Sequence, residues 1–150
     1  MSFFSQNMTI LRQFYPLLPE ELEKAEDNIA PQELVIETAS SGAPTLLCRG
    51  LYVHSKRDPE REALRLAESA AGANDGDPAL ILGFGLGYAA IALAEKQSGR
   101  PIIIVEKHPE LLRKALQTMD LSAFLSKTKL VFVLGGSGEG VSGALSLFES

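Results

Sequence analysis

Three glycines at alternate positions, Gly83, Gly85 and Gly87, break the stretch LILGFGLGYAAIALAEK where an apolar run gives way to an amphipathic one. Glycine is costly to order and adds nothing to a core, so this spacing implies a tight turn, close packing, or a ligand pressed against bare main chain. In open parallel sheets the ligand crevice lies at the carboxyl ends of the strands. The first strand-to-helix turn there carries glycines that let backbone N–H groups approach a nucleotide. Glu106 ends the next apolar run, PIIIVE. It follows the glycines by about 20 residues, the separation at which a carboxylate on the neighbouring strand accepts ribose hydroxyls. Gly83, Gly85, Gly87 and Glu106 are therefore the candidate cofactor-binding set. A structural reading of the same residues stands beside it: the glycines allow close packing of helix on strand, and Glu106 supports the helix beginning at Pro109.

The ligand is less sharply specified. The dinucleotide pattern G-x-G-x-x-G/A fits only in a shifted register, Gly85, Gly87 and Ala90, and in the first register Tyr88 stands where a small residue is needed. NAD is disfavoured. The G-x-G-x-G spelling resembles the first motif of S-adenosylmethionine-dependent methyltransferases, with Glu106 in the place of their ribose-binding acid. Ile81 occupies the position where those enzymes usually carry an acid, two residues before the first glycine. A second glycine-rich stretch, GGSGEG at 135–140, lacks the Lys-Ser/Thr pair of a phosphate loop and reads as a flexible connection. Ser55, Lys56 and Asp58, in YVHSKRDPEREA, precede a helix amino end and form a second candidate set, for substrate or an anion. Asp58 as a helix cap is the competing role. His108 and Asp120 read as helix-cap residues and Cys48 as a core residue beside a strand; no catalytic residue is assigned.

These groups need elements to hold them. Ile10, Leu11, Phe14 and Tyr15 recur at helical spacing over residues 7–15, and LPEELEKAED supplies a second short helix with Pro19 in its first turn. QELVIETASSGAPTLLCRGLYVHS is rich in β-formers and punctuated by turn residues, which predicts a hairpin or small meander. RDPEREALRLAESAAG predicts a helix capped by Asp58, opened by Pro59, with Leu64, Ala67 and Ala71 on one face and Gly72 as its stop. Beyond a polar loop at 71–78 the pattern alternates: strand (ALILGF), helix (GYAAIALAEKQSG, stopped by Gly99), strand (PIIIVE), helix (HPELLRKALQTMD, with Leu112, Ala115, Leu116 and Met119 inward), strand (KLVFVLGG), and one short final helix. Continuous apolar runs point to strands buried on both faces of a parallel sheet. The expected fold is α/β: a partial parallel sheet of Rossmann-like, methyltransferase-like type with crossover helices, behind amino-terminal helices and a small hairpin or meander. The expected sections are 1–72 and 73–150, the latter being the first half of a Rossmann-like domain, either as one folding unit or as part of a longer chain.

Composition narrows the partners. With 150 residues, 45% of them apolar, the chain can bury one core. A net charge of -5 with interspersed signs offers no basic face, so nucleic acid is excluded as a main partner. One cysteine and two histidines give neither an intramolecular disulfide nor metal-ligand spacing, and no metal is expected. The amino end, MSFFSQNMTILRQFYPLLPEE, matches neither a signal peptide nor a membrane span; a cytoplasmic, membrane-free location is the expectation, with a small nucleotide-type ligand and a homodimer as possible partners. The sequon-like Asn7-Met8-Thr9 is read as a chance pattern.

LYVHSKRDPEREALRLAE, ILGFGLGYAAIALAE, IIIVEKHPELLRKAL and LVFVLGG together resemble the family that groups archaeal 6-hydroxymethylpterin diphosphokinase with bacterial motility accessory factors acting in flagellin glycosylation. The resemblance spans about residues 45–136 and covers the amino-terminal and Rossmann-like portion of proteins that are usually much longer. It implies a Rossmann-like nucleotide-binding core of a transferase, with ATP or a nucleotide-sugar as donor; S-adenosylmethionine stays the alternative cofactor on the separate likeness of G-x-G-x-G to the methyltransferase motif. It carries the nucleotide role to Gly83, Gly85, Gly87 and Glu106, and the preceding signature to Ser55, Lys56 and Asp58. A non-catalytic dimerising module of the same fold is the remaining alternative.

Overall fold

The computed structural model describes residues 2–70, 76–135 and 138–147, without the side chains of Lys127, Glu139 and Val141. The chain opens with α1 (Phe3–Phe14) and α2 (Leu18–Lys24). α1 starts earlier than its apolar spacing implies because the Ser2 hydroxyl accepts the Ser5 N–H at 3.1 Å, an amino-terminal cap. A short 3-10 turn at Pro31–Glu33 leads to β1 (Leu34–Thr38), β2 (Pro44–Cys48) and β3 (Leu51–Tyr52). These three form the antiparallel meander, in the order β1-β2-β3. Cys48 lies within β2 and packs partly against the core.

α3 (Pro59–Ala70) begins where Asp58 Oδ1 accepts the Arg61 N–H at 3.0 Å. Its inward face differs from the expected one: Pro59, Ala63 and Ala67 are buried, whereas Leu64 is 48% exposed. The cause is its neighbour. α3 packs on α4 (Tyr88–Lys96), and a row of small side chains brings two helices together where leucines would hold them apart. Ala71 and Gly72, the expected end of this face and its stop, lie outside the described residues.

The second sheet is parallel, in the order β4 (Ala79–Leu82), β5 (Ile102–Glu106), β6 (Leu130–Leu134), with α4 and α5 (Pro109–Thr118) in the crossovers and α6 (Ser122–Lys127) ahead of β6. Its register sets Leu82 beside Val105 and Glu106 beside Leu134. β5 is buried at every residue, as its run of isoleucines demands. β4 is not: Leu80 is 48% and Leu82 75% exposed. The apolar run over 79–84 therefore does not mark a strand covered on both faces, and the strand that carries the glycines is an edge rather than the centre of this sheet. α7 (Gly138–Ser146) places Ala144 over Ile103, Val105 and Val133, but that cover stops short of β4. α7 also takes Gly138–Gly140 out of the expected glycine-rich connection, while Gly136 and Ser137 lie outside the described residues.

One apolar core runs from Met8 and Leu11 of α1 through Leu46 of β2 to Leu112 and Leu116 of α5 and Leu130 of β6. α1 is fastened to it by Asn7, fully buried, whose Nδ2 donates to the Leu116 and Met119 carbonyls at 2.9 and 2.7 Å and whose Oδ1 accepts the Leu121 N–H at 3.0 Å. That burial also leaves the Asn7-Met8-Thr9 pattern without a reachable amide. Asp120 lies one residue ahead of the amino cap of α6, which is Leu121 and carries no side-chain cap bond, and it accepts the Ser122 N–H and hydroxyl at 3.1 and 2.6 Å.

Candidate functional site

The turn from β4 into α4 is built on left-handed backbone. Gly85 has φ +58° and Gly87 φ +95°, conformations that residues with a Cβ rarely adopt. Space adds a second requirement. A Cβ on Gly85 would stand 2.5 Å from His54 Nε2, and one on Gly87 would stand 2.7 Å from the Phe84 ring. Gly83 differs, because nothing lies within 4 Å of its missing Cβ. Two of the three glycines thus make room for the protein's own side chains, and the third faces open space.

The amides of this turn are committed one after another. The Gly83 N–H donates to the Val105 carbonyl at 2.7 Å, the Phe84 and Gly85 N–H groups to Glu106 Oε1 at 2.9 and 3.4 Å, the Leu86 N–H to His54 Nε2 at 2.9 Å, and the Gly87 N–H to the Phe84 carbonyl at 2.9 Å. Glu106 is only 2% exposed, and its Oε2 accepts the His108 N–H at 3.2 Å. Its carboxylate therefore binds the glycine turn to the start of α5. His108 stands at the amino cap of α5 without a side-chain capping bond, and its Nδ1 is buried without a partner.

Sequence reasoning leaves His54 in the charged segment ahead of α3, beside Ser55, Lys56 and Asp58, and gives it no place at the glycine turn. Its partner is 32 positions away in sequence, and no local pattern announces the pairing. Its ring stands edge-on to Tyr88, centroids 5.1 Å apart, and the Tyr88 hydroxyl donates to the Pro44 carbonyl at 2.5 Å. Burial pushes that phenol up to about 12 and pushes the His54 imidazole below its ordinary value, Glu62 opposing the latter weakly. These contacts join the meander to the glycine turn.

Ser55, Lys56 and Asp58 lie apart from that corner. Ser55 Oγ accepts the Arg57 and Asp58 N–H groups at 3.1 Å each, and Asp58 caps α3. Lys56 is exposed. A cavity of about 670 Å³ runs along the unpaired side of β4, reaching Gly83, Gly85, Glu106 and His54 at the glycine end and Leu66 and Leu80 along its flank. Ser55 and Asp58 instead border a separate depression of about 500 Å³ on the outer side of α3. Among the described residues, none of the helices is long and apolar enough to cross a membrane, and no cluster of His, Cys, Asp and Glu is placed to hold a metal.

A parallel half-sheet whose glycine turn, strand-end acid and open edge meet at one corner defines a Rossmann-like α/β fold. Residues 54–148 match the family model of the glycosyltransferase Maf N-terminal domain, and the chain belongs to that family, the motility accessory factors. It is 31% identical over 114 residues to an uncharacterized protein of Treponema pallidum (strain Nichols), a match covering 69% of this chain and 37% of that one. The fold is similar to that of the Maf glycosyltransferase from Magnetospirillum magneticum AMB-1, with a TM-score of 0.70 at 15% identity, over 97% of this chain and 29% of the other. The chain thus spans little more than a third of the relative's length and less than a third of the solved structure's.

Proposed function

We propose that this chain is the amino-terminal part of a glycosyltransferase of the motility accessory type, and that the carboxyl ends of β4 and β5 form one wall of a nucleotide-sugar site. The opposite wall comes from polypeptide of the kind that makes up the remaining length of its relatives. The observation that carries this reading is the glycine end of the cavity, at the carboxyl end of β4, where nothing stands within 4 Å of the missing Cβ of Gly83 and the main chain is bare. A sugar nucleotide laid there meets glycine backbone at the carboxyl end of a parallel strand, the usual ligand position in such sheets. Glu106 is the acid bonded to this turn: its Oε1 is taken by the Phe84 and Gly85 N–H groups and its Oε2 by the His108 N–H alone, so Oε2 keeps an acceptor site for a ribose hydroxyl.

A second reading has its own support. Every amide from Gly83 to Gly87 is engaged within the protein, and Glu106 is buried, as in a turn that serves only to build the fold. Amide NMR during titration with CTP, CMP, a CMP-sugar, ATP, S-adenosylmethionine and NAD separates the two. Shifts confined to Gly83–Leu86 and Glu106–His108 with CMP or the CMP-sugar are expected. A response to ATP alone would favour pyrophosphate transfer, and one to S-adenosylmethionine alone a methyltransferase-like role. If none of the six moves these amides, in this chain or in a polypeptide of the relatives' length, the nucleotide site is lost and the fold-building reading stands.

A further inference from the structure

The imidazole of His54 does something in this fold that a structural side chain seldom does: it closes a backbone turn by accepting a hydrogen bond through a nitrogen that can also take up a proton. We propose that His54 is a proton-operated latch on the glycine turn, holding it shut as a neutral ring and releasing it when protonated. The inference does not depend on a ligand, so it stands or falls separately from the nucleotide-sugar reading.

Geometry makes the ring the movable part. The main chain around it is pinned: the Val53 N–H donates to the Leu46 carbonyl at 2.8 Å, the Thr45 hydroxyl to the His54 carbonyl at 3.2 Å, and the Ser55 N–H to Glu62 Oε1 at 3.0 Å. The imidazole reaches from this fixed base over Gly85, where any side chain would collide with it, to the Leu86 N–H. Accepting that bond requires Nε2 to be bare, which puts the ring proton of the neutral form on Nδ1. Protonation would set a donor against a donor at 2.9 Å. The Leu86 amide would lose its acceptor, and the ring would have to leave toward the adjoining cavity.

The groups around the ring decide where the latch acts. α3 presents Glu62, α4 presents Tyr88, and the end of β5 presents Glu106, which borders the same cavity. The Thr45 hydroxyl of β2 bonds the His54 carbonyl rather than the ring, and Lys56 and Arg57 on the histidine's own segment are exposed. Glu62 favours the charged ring but burial outweighs it, so protonation is harder in the latched state than in the open one. A lowered value in the closed state means that the closed turn is favoured at neutral pH. That preference weakens as pH falls below the ordinary histidine value of about 6.5.

Hydrogen exchange of the Leu86 amide between pH 7.5 and 5, referred to the Ile104 amide in the core, tests this. In the wild-type chain, protection corrected for intrinsic exchange should fall by about tenfold per pH unit below about 6.5 until the latched ring itself is protonated. His54→Gln offers a carboxamide oxygen in place of Nε2 and should flatten the profile, while His108→Gln should leave the wild-type slope. A flat wild-type profile would overturn the latch, and so would the wild-type slope persisting in His54→Gln, which would place the pH response outside this ring. Imidazole NMR provides a check without mutation: His54 should titrate below 6.5 with Nε2 unprotonated at pH 7.5, and a proton on Nε2 at that pH would equally overturn the proposal.

Discussion

Glu106 shows how one side chain can hold a turn that backbone preference alone would leave open. Its two oxygens take three amides from two loops, and the carboxylate is withdrawn from solvent to do so. Amide-to-carboxylate bonds are among the stronger ones, and a buried amide left without an acceptor costs about 1–3 kcal/mol. Glu106→Ala should therefore destabilise the chain by about 2–4 kcal/mol in urea denaturation, since the Phe84 and His108 N–H groups lose their acceptor together. A loss below about 0.5 kcal/mol would mean that water or a shifted loop replaces the carboxylate easily, and that the acid is free for another role. Any ligand comparison on this variant must be made at matched folded fraction, because weaker binding by a partly unfolded chain says nothing about ribose.

Between elements, the attachment of α1 carries the same logic into the core. Asn7 is the only polar side chain among the described residues of α1 that is buried, and it answers two carbonyls at the end of α5 and one amide at Leu121. Asn7→Ala should cost about 2–4 kcal/mol, read as a fall in thermal midpoint of roughly 4–16 °C for a chain of this size. A change of about 1 °C or less would show that α1 is held by its apolar face alone. Local signals made much of this architecture readable in the sequence. Asp58 followed by Pro59 marks the start of α3, unbroken isoleucines mark β5, and Pro109 marks α5. What could not be read depends on partners distant in the chain. Leu64 looks inward on a helical wheel until the small-residue face of α3 meets α4. Leu80 and Leu82 look buried until the sheet is seen to end at β4. The glycines were legible as a demand for space, but not what fills it: His54 at Gly85 and the Phe84 ring at Gly87.

At the scale of the whole molecule, β4 is an edge of the parallel sheet among the described residues. The Ala79 and Gly83 N–H groups donate into β5 and its flank, so by strand alternation Leu80 and Leu82 direct their main-chain groups away from the sheet. Natural sheets guard such an edge with charge, a bulge or a cover, yet here two exposed leucines stand on it with Leu66 of α3 close by. In a doubly wound sheet this is where strand order reverses and where the next parallel strand would be added. The proposed function therefore predicts opposite consequences for one pair of substitutions. In the 150-residue chain, Leu80→Lys with Leu82→Lys changes two exposed side chains and should alter stability by no more than about 1 kcal/mol in urea denaturation. In a polypeptide of the relatives' length, the same pair would place two charges inside a completed sheet. The thermal midpoint should then drop by at least about 5 °C. Equal tolerance in both would mean that β4 stays an outer edge throughout, and the shared nucleotide-sugar wall would lose its second half.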